Sequence, residues 1–253
     1  MLRCQRIFFI CLALCCIFNG WPAPAAALER QLKIGVERNY PPFSFMNKNN
    51  TLEGFSLEIA QAICEAVERN CVFVLQPLDV LQDSLKKGEI DVVMNVRALE
   101  SMSEYARFSR PYVRTRSVYI GRPSAMRLNR PARIGVRKDG MHYYYLTAGE
   151  KPSATVFVKN GTNALLDDLV KGNVDMVLTN GLHAWYFLCS DEGREFDTLG
   201  PPLPPEATDA NLRAAVRKNE SALVEKLDKA IHDIYFNGVL LRINRKYFPY
   251  TLY

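Results

Sequence analysis

The sequence is short of what metal and redox chemistry need. Its 253 residues include three histidines and seven cysteines, and four of those cysteines, Cys4, Cys11, Cys15 and Cys16, crowd into the N-terminal stretch. Cys64, Cys71 and Cys189 remain. No histidine or second cysteine pair lies near Cys64 and Cys71 to complete a zinc-type ligand set. No glycine-rich phosphate loop stands out, and no nucleophile–base constellation. Nothing beyond residue 18 is apolar for the roughly 20 residues that a membrane span requires. An excess of one charge is lacking too. The formal net charge is +5, or +3 without Arg3 and Arg6. That is too weak for nucleic-acid binding, which calls for a concentrated basic face. No metal, cofactor or nucleic-acid partner is therefore expected.

The N-terminus has a clear layout. Arg3 and Arg6 precede the apolar run IFFICLALCCIF (7–18), Pro22 and Pro24 break it, and APAAA supplies small residues before Leu28. This is the pattern of a secretory signal peptide over residues 1–27, cleaved after Ala27 or Ala25. The remainder is expected to be exported.

The rest alternates between two periodicities. LKIGV (32–36), CVFVL (71–75) and IDVVMNV (90–96) read as buried strands, and helices at helical spacing fall between them, one capped by Ser56 and one over 80–88. The order then repeats. ARIGV (132–136) echoes LKIGV, NALLDDLVKG (163–172) echoes VLQDSLKKG, and VDMVLTN (174–180) echoes IDVVMNV. Two α/β units of mostly parallel sheet result. SVYIGRPS (117–124) links them as an extended, helix-free segment, GPPLPPEAT (200–208) is proline-rich, and the last 45 residues read as helical. The expected fold class is α/β with two lobes, residues 28–118 plus 211–253 and residues 119–210, joined by a hinge. In such sheets ligands bind beyond the carboxyl ends of the strands, so the cleft between the lobes is the site to examine.

Cys64 and Cys71 sit seven positions apart. A continuous helix would separate them by about 10.5 Å of rise, beyond the roughly 7 Å that a disulfide tolerates between Cα atoms. A bridge therefore requires the helix to end first, with Asn70 as a left-handed terminator and strand CVFVL starting at once. Two unpaired core thiols, or a redox or metal pair, are the alternatives.

LKIGVERNYPPFSF (32–45), GFSLEIAQAICEAVERNCVFVLQPLDVLQDSLKKGEIDVVM (54–94), FSRPY (108–112) and LDKAIHDIYFNGVLLRINRKYF (227–248) resemble the polar amino-acid-binding periplasmic proteins of ABC transporters, solute-binding family 3. The nearest likeness is to the histidine and lysine/arginine/ornithine binders, which share the cysteine pair at this spacing. The resemblance implies two lobes that trap a small polar ligand by hinge closure. It also implies a periplasmic location and delivery to an ABC permease and ATPase complex in the inner membrane. A monomer without enzymatic activity is expected.

The resemblance fails at the ligand clamps. The family holds the ligand's carboxylate with an Arg, a bidentate task that suits guanidinium. Here NVRALESMSEYARFS (95–109) is one residue short, and that position falls on Met102 or Ser103. The hydroxyl positions become Asn95, Val96 and Ala98 or Arg97. The second-lobe Asp that meets the ligand's ammonium becomes Asn180, and the facing turn becomes RKDGMHYYY (137–145). Arg97 is the nearby cation, either a substitute anion clamp or a side chain turned to solvent or to Glu100. Tyr40 matches a ring that stacks over the ligand, with strand-end packing as the plain alternative. Glu37 matches an acid that meets cationic side chains, with a surface acid as the alternative. Leu78 matches an apolar wall, Asn95 a polar contact, and His142 a residue of the facing turn that is either a ligand contact or a satisfied side chain. Two other functions compete: a sensory or accessory protein with a repurposed pocket, and an exported dehydratase of the same fold with Glu37, Glu100, Asp139 or His142 as its acid.

Overall fold

The computed structural model describes residues 30–138, 140–148, 154–249 and 252. The signal-peptide expectation and Asp139 lie outside the described residues.

Among the described residues twelve strands and eight α-helices follow in order: β1 (Leu32–Glu37), β2 (Phe45–Met46), β3 (Leu52–Glu53), α1 (Phe55–Ala66), β4 (Cys71–Gln76), α2 (Leu78–Lys87), β5 (Val92–Val96), α3 (Glu100–Ser103), β6 (Ala106–Phe108), β7 (Ser117–Gly121), β8 (Ala132–Arg137), α4 (Met141–Ala148), β9 (Ala154–Lys159), α5 (Thr162–Val170), β10 (Met176–Asn180), α6 (Gly181–Leu188), β11 (Asp197–Thr198), β12 (Arg213–Arg217), α7 (Ser221–Phe236) and α8 (Val239–Tyr247). Two five-stranded sheets form, ordered β4-β1-β5-β12-β6 and β11-β7-β10-β8-β9. β1 is parallel to β4 and β5, as β8 is to β9 and β10. The chain passes between the sheets twice, before β7 and before β12, and the two passes pair antiparallel at Val113 and Leu212.

The repeated sequence pattern marks a repeated packing device. Gly35 and Gly135 occupy the same place in β1 and β8. A Cβ there would lie 2.7 Å from Leu81 Cδ2 and 3.0 Å from Leu165 Cδ2, so glycine lets each helix close on its sheet. Asp91 and Asp175 are likewise equivalent. Asp91 accepts from Lys33 N at 3.0 Å and Asp175 from Arg133 N at 2.8 Å, each carboxylate tying one strand to its parallel neighbour. Arg130 and Arg133 hold Asp175 well below the usual carboxylate range.

α1 ends as the disulfide requires, but at another residue than expected. Glu68, at φ 55°, is the left-handed position. Glu68 N donates to Glu65 O at 3.1 Å and Arg69 N to Cys64 O at 3.1 Å, a Schellman closure. The chain then turns back, and Cys64 and Cys71 are bridged with their Cα atoms 6.2 Å apart. Cys189 is a free, exposed thiol.

Three other expectations are corrected. Ser56 lies inside α1, and Gly54 takes the N-cap position. The segment after β7 contains a short 3₁₀ turn, Pro123–Arg127. The last 45 residues are not all helical, because β12 runs antiparallel between β5 and β6. The sequence pattern also missed α4, whose first residues were read as part of a turn, and α6, to which no element was assigned.

Removing the bridge with Cys64→Ala and Cys71→Ala should cost about 2.5 kcal/mol, the chain-entropy value for so short a loop. Urea unfolding of the variant against the oxidised parent measures it. An unchanged midpoint would refute a stabilising role.

Candidate functional site

The carboxyl ends of β1, β5, β8 and β10 converge between the two sheets. Glu37 ends β1 and Arg137 ends β8. Arg137 donates to Glu37 through both terminal nitrogens, at 2.7 and 3.1 Å. Glu37 is 8% exposed, so it is no surface acid. A desolvated bidentate pair of this kind is among the stronger side-chain contacts, and it bridges the sheets.

Tyr40 follows β1. Its ring stacks on Phe43 at 4.9 Å and on His183 at 5.1 Å, and its hydroxyl accepts from Asn180 Nδ2 at 3.1 Å. Asn180 Oδ1 in turn accepts from His183 N at 2.9 Å, capping α6. Both ends of the Asn180 amide are thus engaged. Asn163 Nδ2 adds a contact to Asn39 O at 2.9 Å.

Asn95 and Arg97 are placed by a fault in the sheet. Arg213 pairs with Val96 and Ala215 with Val93, so Met94 and Asn95 face Ala214 alone. This is a β-bulge, a device that re-aims side chains beside functional sites. Asn95 takes φ 64°, a region asparagine tolerates better than most residues. Its backbone N–H donates to the buried Tyr112 hydroxyl at 2.9 Å. Its side chain is 4% exposed, and neither amide atom has a hydrogen-bond partner. Arg97 has a buried Nε without a partner. Among the described residues no carboxylate pairs with it, Glu100 included.

A cleft of about 180 Å³ opens here, lined by Leu78, Asn95, Arg97, Met102, Arg137 and Met141 among others. Leu78, the expected apolar wall, is on it. His142 stands behind it on α4, with Nε2 2.7 Å from Ser117 Oγ, which lies 2.8 Å from Thr208 Oγ1. His142 is 6% exposed and His183 1%. Burial, with the Arg97 charge beside it, pushes the His142 pKa down to about 3. Burial does the same to His183, also to about 3, with Arg97 and Arg137 adding and the Pro41 carbonyl opposing. Both imidazoles are neutral.

The sequence reading placed Glu37, Leu78, Asn95 and Arg97 near one another, and it placed Tyr40 and Asn180, which the structure joins by a hydrogen bond. It missed Arg137 and His183. The internal repeat held a signal for the first: LKIGVE and ARIGVR align so that Glu37 and Arg137 carry opposite charges at equivalent ends. Among the described residues no cluster of His, Cys, Asp and Glu is suited to a metal ion.

Residues 32–250 match the model of the bacterial extracellular solute-binding proteins, family 3. The chain is 30% identical to the L-arginine-binding protein of Pseudomonas aeruginosa over 244 residues, 91% of this chain and 92% of the relative. It is 25% identical to the histidine-binding periplasmic protein of Salmonella typhimurium over 251 residues, 96% of each. Among solved structures, an ancestral arginine-binding protein bound to arginine aligns with a TM-score of 0.76 at 23% identity, covering 87% of this chain and 99% of that one. A histidine kinase sensor domain with similarity to periplasmic binding proteins aligns with a TM-score of 0.75 at 19% identity, covering 88% and 98%. The two-lobed α/β fold follows from these likenesses.

The two neutral imidazoles set a pH dependence. An unfolded imidazole takes up its proton below about pH 6.5, whereas these stay neutral in the folded chain down to about 3. The stability they confer is complete above pH 6.5 and is lost as pH falls toward 3, each imidazole contributing a slope of about 1.4 kcal/mol per pH unit. Urea unfolding between about pH 6.5 and pH 4.5 should therefore lose roughly 2.7 kcal/mol per unit, and His183→Gln should halve that slope. A flat profile over this range would refute the assignment.

Proposed function

We propose, for a chain that belongs to the bacterial extracellular solute-binding proteins of family 3, that it binds a small polar solute in the cleft between its two sheets. The single observation that carries this is the convergence of Asn95 and Arg97 from one sheet and its following loop, and of Arg137 and Met141 from the other sheet and its following helix, on one cleft, with Glu37 bonded to Arg137 at its edge. Residues 1–27 are removed on export to the periplasm. The lobes, 28–118 with 211–253 and 119–210, close about the two extended passes that pair at Val113 and Leu212. Contacts made only in the closed form drive that shift. The closed form of the monomer then presents itself to a permease and ATPase complex of the inner membrane. The protein acts by binding and not by catalysis.

The solute differs from those named for the relatives. A basic amino acid would need an acid for its cationic side chain and another for its ammonium. Glu37 already holds Arg137, and the second position is a neutral Asn180 turned to Tyr40 and His183. The same self-satisfied contacts favour a second reading, a sensory or accessory protein of this fold, and the likeness to a kinase sensor domain is in keeping with it.

Thermal unfolding of the purified protein against amino acids, polyamines and small carboxylates tests the first reading. A ligand at 100 times its Kd adds about 2.7 kcal/mol, which for a chain of this size raises Tm by roughly 5–10 °C. Arginine and histidine should give no shift. Silence across the whole panel would sink the solute-binding reading. Arg137→Ala separates the second reading: it should open the lobes, seen as a larger radius of gyration in solution scattering. An unchanged radius would remove the Glu37–Arg137 pair as a latch.

A further inference from the structure

Resting on the solute-binding reading, we propose that the ligand is a small carboxylate bearing a hydroxyl where an amino acid bears its ammonium, with Arg97 and Asn95 as its anchors.

The charges of the cleft come first. Arg97, Arg137 and Lys138 face Glu37 and Asp79 around it. Glu37 is neutralised by Arg137, and Asp79 is exposed at the rim. Arg97 and the exposed Lys138 have no ion-pair partner among the described residues, and of the two Arg97 has its Nε withdrawn from water. Arg97 lines the cleft together with Asn95 and is half-buried. A guanidinium partly withdrawn from water without an anion carries a desolvation cost, and a ligand carboxylate relieves it. Among the described lining residues Asp79 is the acid, and it stands exposed to water at the rim rather than buried with Asn95.

Asn95 is the second, independent observation. Its amide is buried on the same cleft, with its donor and its acceptor both unpartnered. Native structures rarely leave such groups unpaired, and the exceptions call for a partner not yet in place. The residue is held left-handed by the bulge, the kind of local strain that clusters at ligand sites. Nδ2 supplies a second donor to a carboxylate oxygen. Oδ1 accepts from one neutral hydroxyl. A charged ammonium would meet only neutral oxygens here, while a hydroxyl loses little by the same exchange. A 2-hydroxy acid therefore matches Arg97 and both atoms of Asn95 at once.

Matched pairs isolate the claim: lactate against alanine, malate against aspartate, and 2-hydroxyglutarate against glutamate, titrated calorimetrically into the full protein. At least one hydroxy acid should bind while its amino acid does not. Arg97→Gln should weaken that binding on the order of 100-fold, the usual loss for a charge-assisted anchor. Arg97→Lys should restore part of it, which also shows that the loss is not misfolding. Asn95→Gly, which accepts the left-handed backbone, should weaken it about tenfold. Arg127→Gln, on the exposed surface of the other sheet, should leave it unchanged. Binding of the amino acid member, retained in Arg97→Gln, overturns the inference and leaves the solute-binding reading standing. No binding by any hydroxy acid at millimolar concentration also overturns it, and the solute-binding reading then stands or falls on the wider thermal panel.

Discussion

The contact on which the cleft depends is the ion pair between Glu37 and Arg137. It joins the last residue of β1 to the last residue of β8, so each sheet contributes one charge. Both side chains are largely withdrawn from water, and both guanidinium ends reach a carboxylate oxygen. Removing one partner from such a pair strands the other, at a cost of about 3–5 kcal/mol. The pair therefore holds the sheets face to face and consumes the acid that a cationic ligand would need. Tyr40 and Asn180 follow the same logic, each satisfied from within the chain.

This internal satisfaction explains the state of the histidines. Burial raises the cost of a positive charge on these rings, and Arg97, with Arg137 at His183, adds to it. An imidazolium at 142 or 183 would sit in a poor dielectric beside guanidinium groups, so both rings stay neutral. His142 then serves as a hydrogen-bonding strut to Ser117 and Thr208, which lie on or near the two passes between the sheets.

Much of the fold was legible in the sequence because the two units repeat one another. Gly35 and Gly135, and Asp91 and Asp175, are near-neighbours of apolar runs, and each does the same packing job in its own sheet. Strand β12 was not legible. Its run RAAVR carries little β propensity, and the surrounding helices masked it; only its position between β5 and β6 makes it a strand. Helix α4 was hidden for the opposite reason, since MHYYYLTA is rich in residues that favour strands. The disulfide was legible in outline, yet its terminator was not, because glutamate is an unusual left-handed residue and nothing local distinguishes Glu68 from Asn70.

The cleft was legible by position and not by partner. Glu37, Tyr40, Leu78, Asn95, Arg97 and Asn180 could be assigned from the family resemblance, but which of them face each other depends on how two sheets meet, a long-range fact. Arg137 was the hidden term, although the repeat set it opposite Glu37. Once it is counted, the loss of both amino-acid clamps reads as one change. A guanidinium from the second sheet takes the acid at 37, and position 180 carries a neutral amide bonded to Tyr40 and His183. Arg97 stands on the same cleft with no ion-pair partner among the described residues. On the proposed reading, losing the ammonium site and gaining an anion site would be two faces of a single shift in the charge of the cleft.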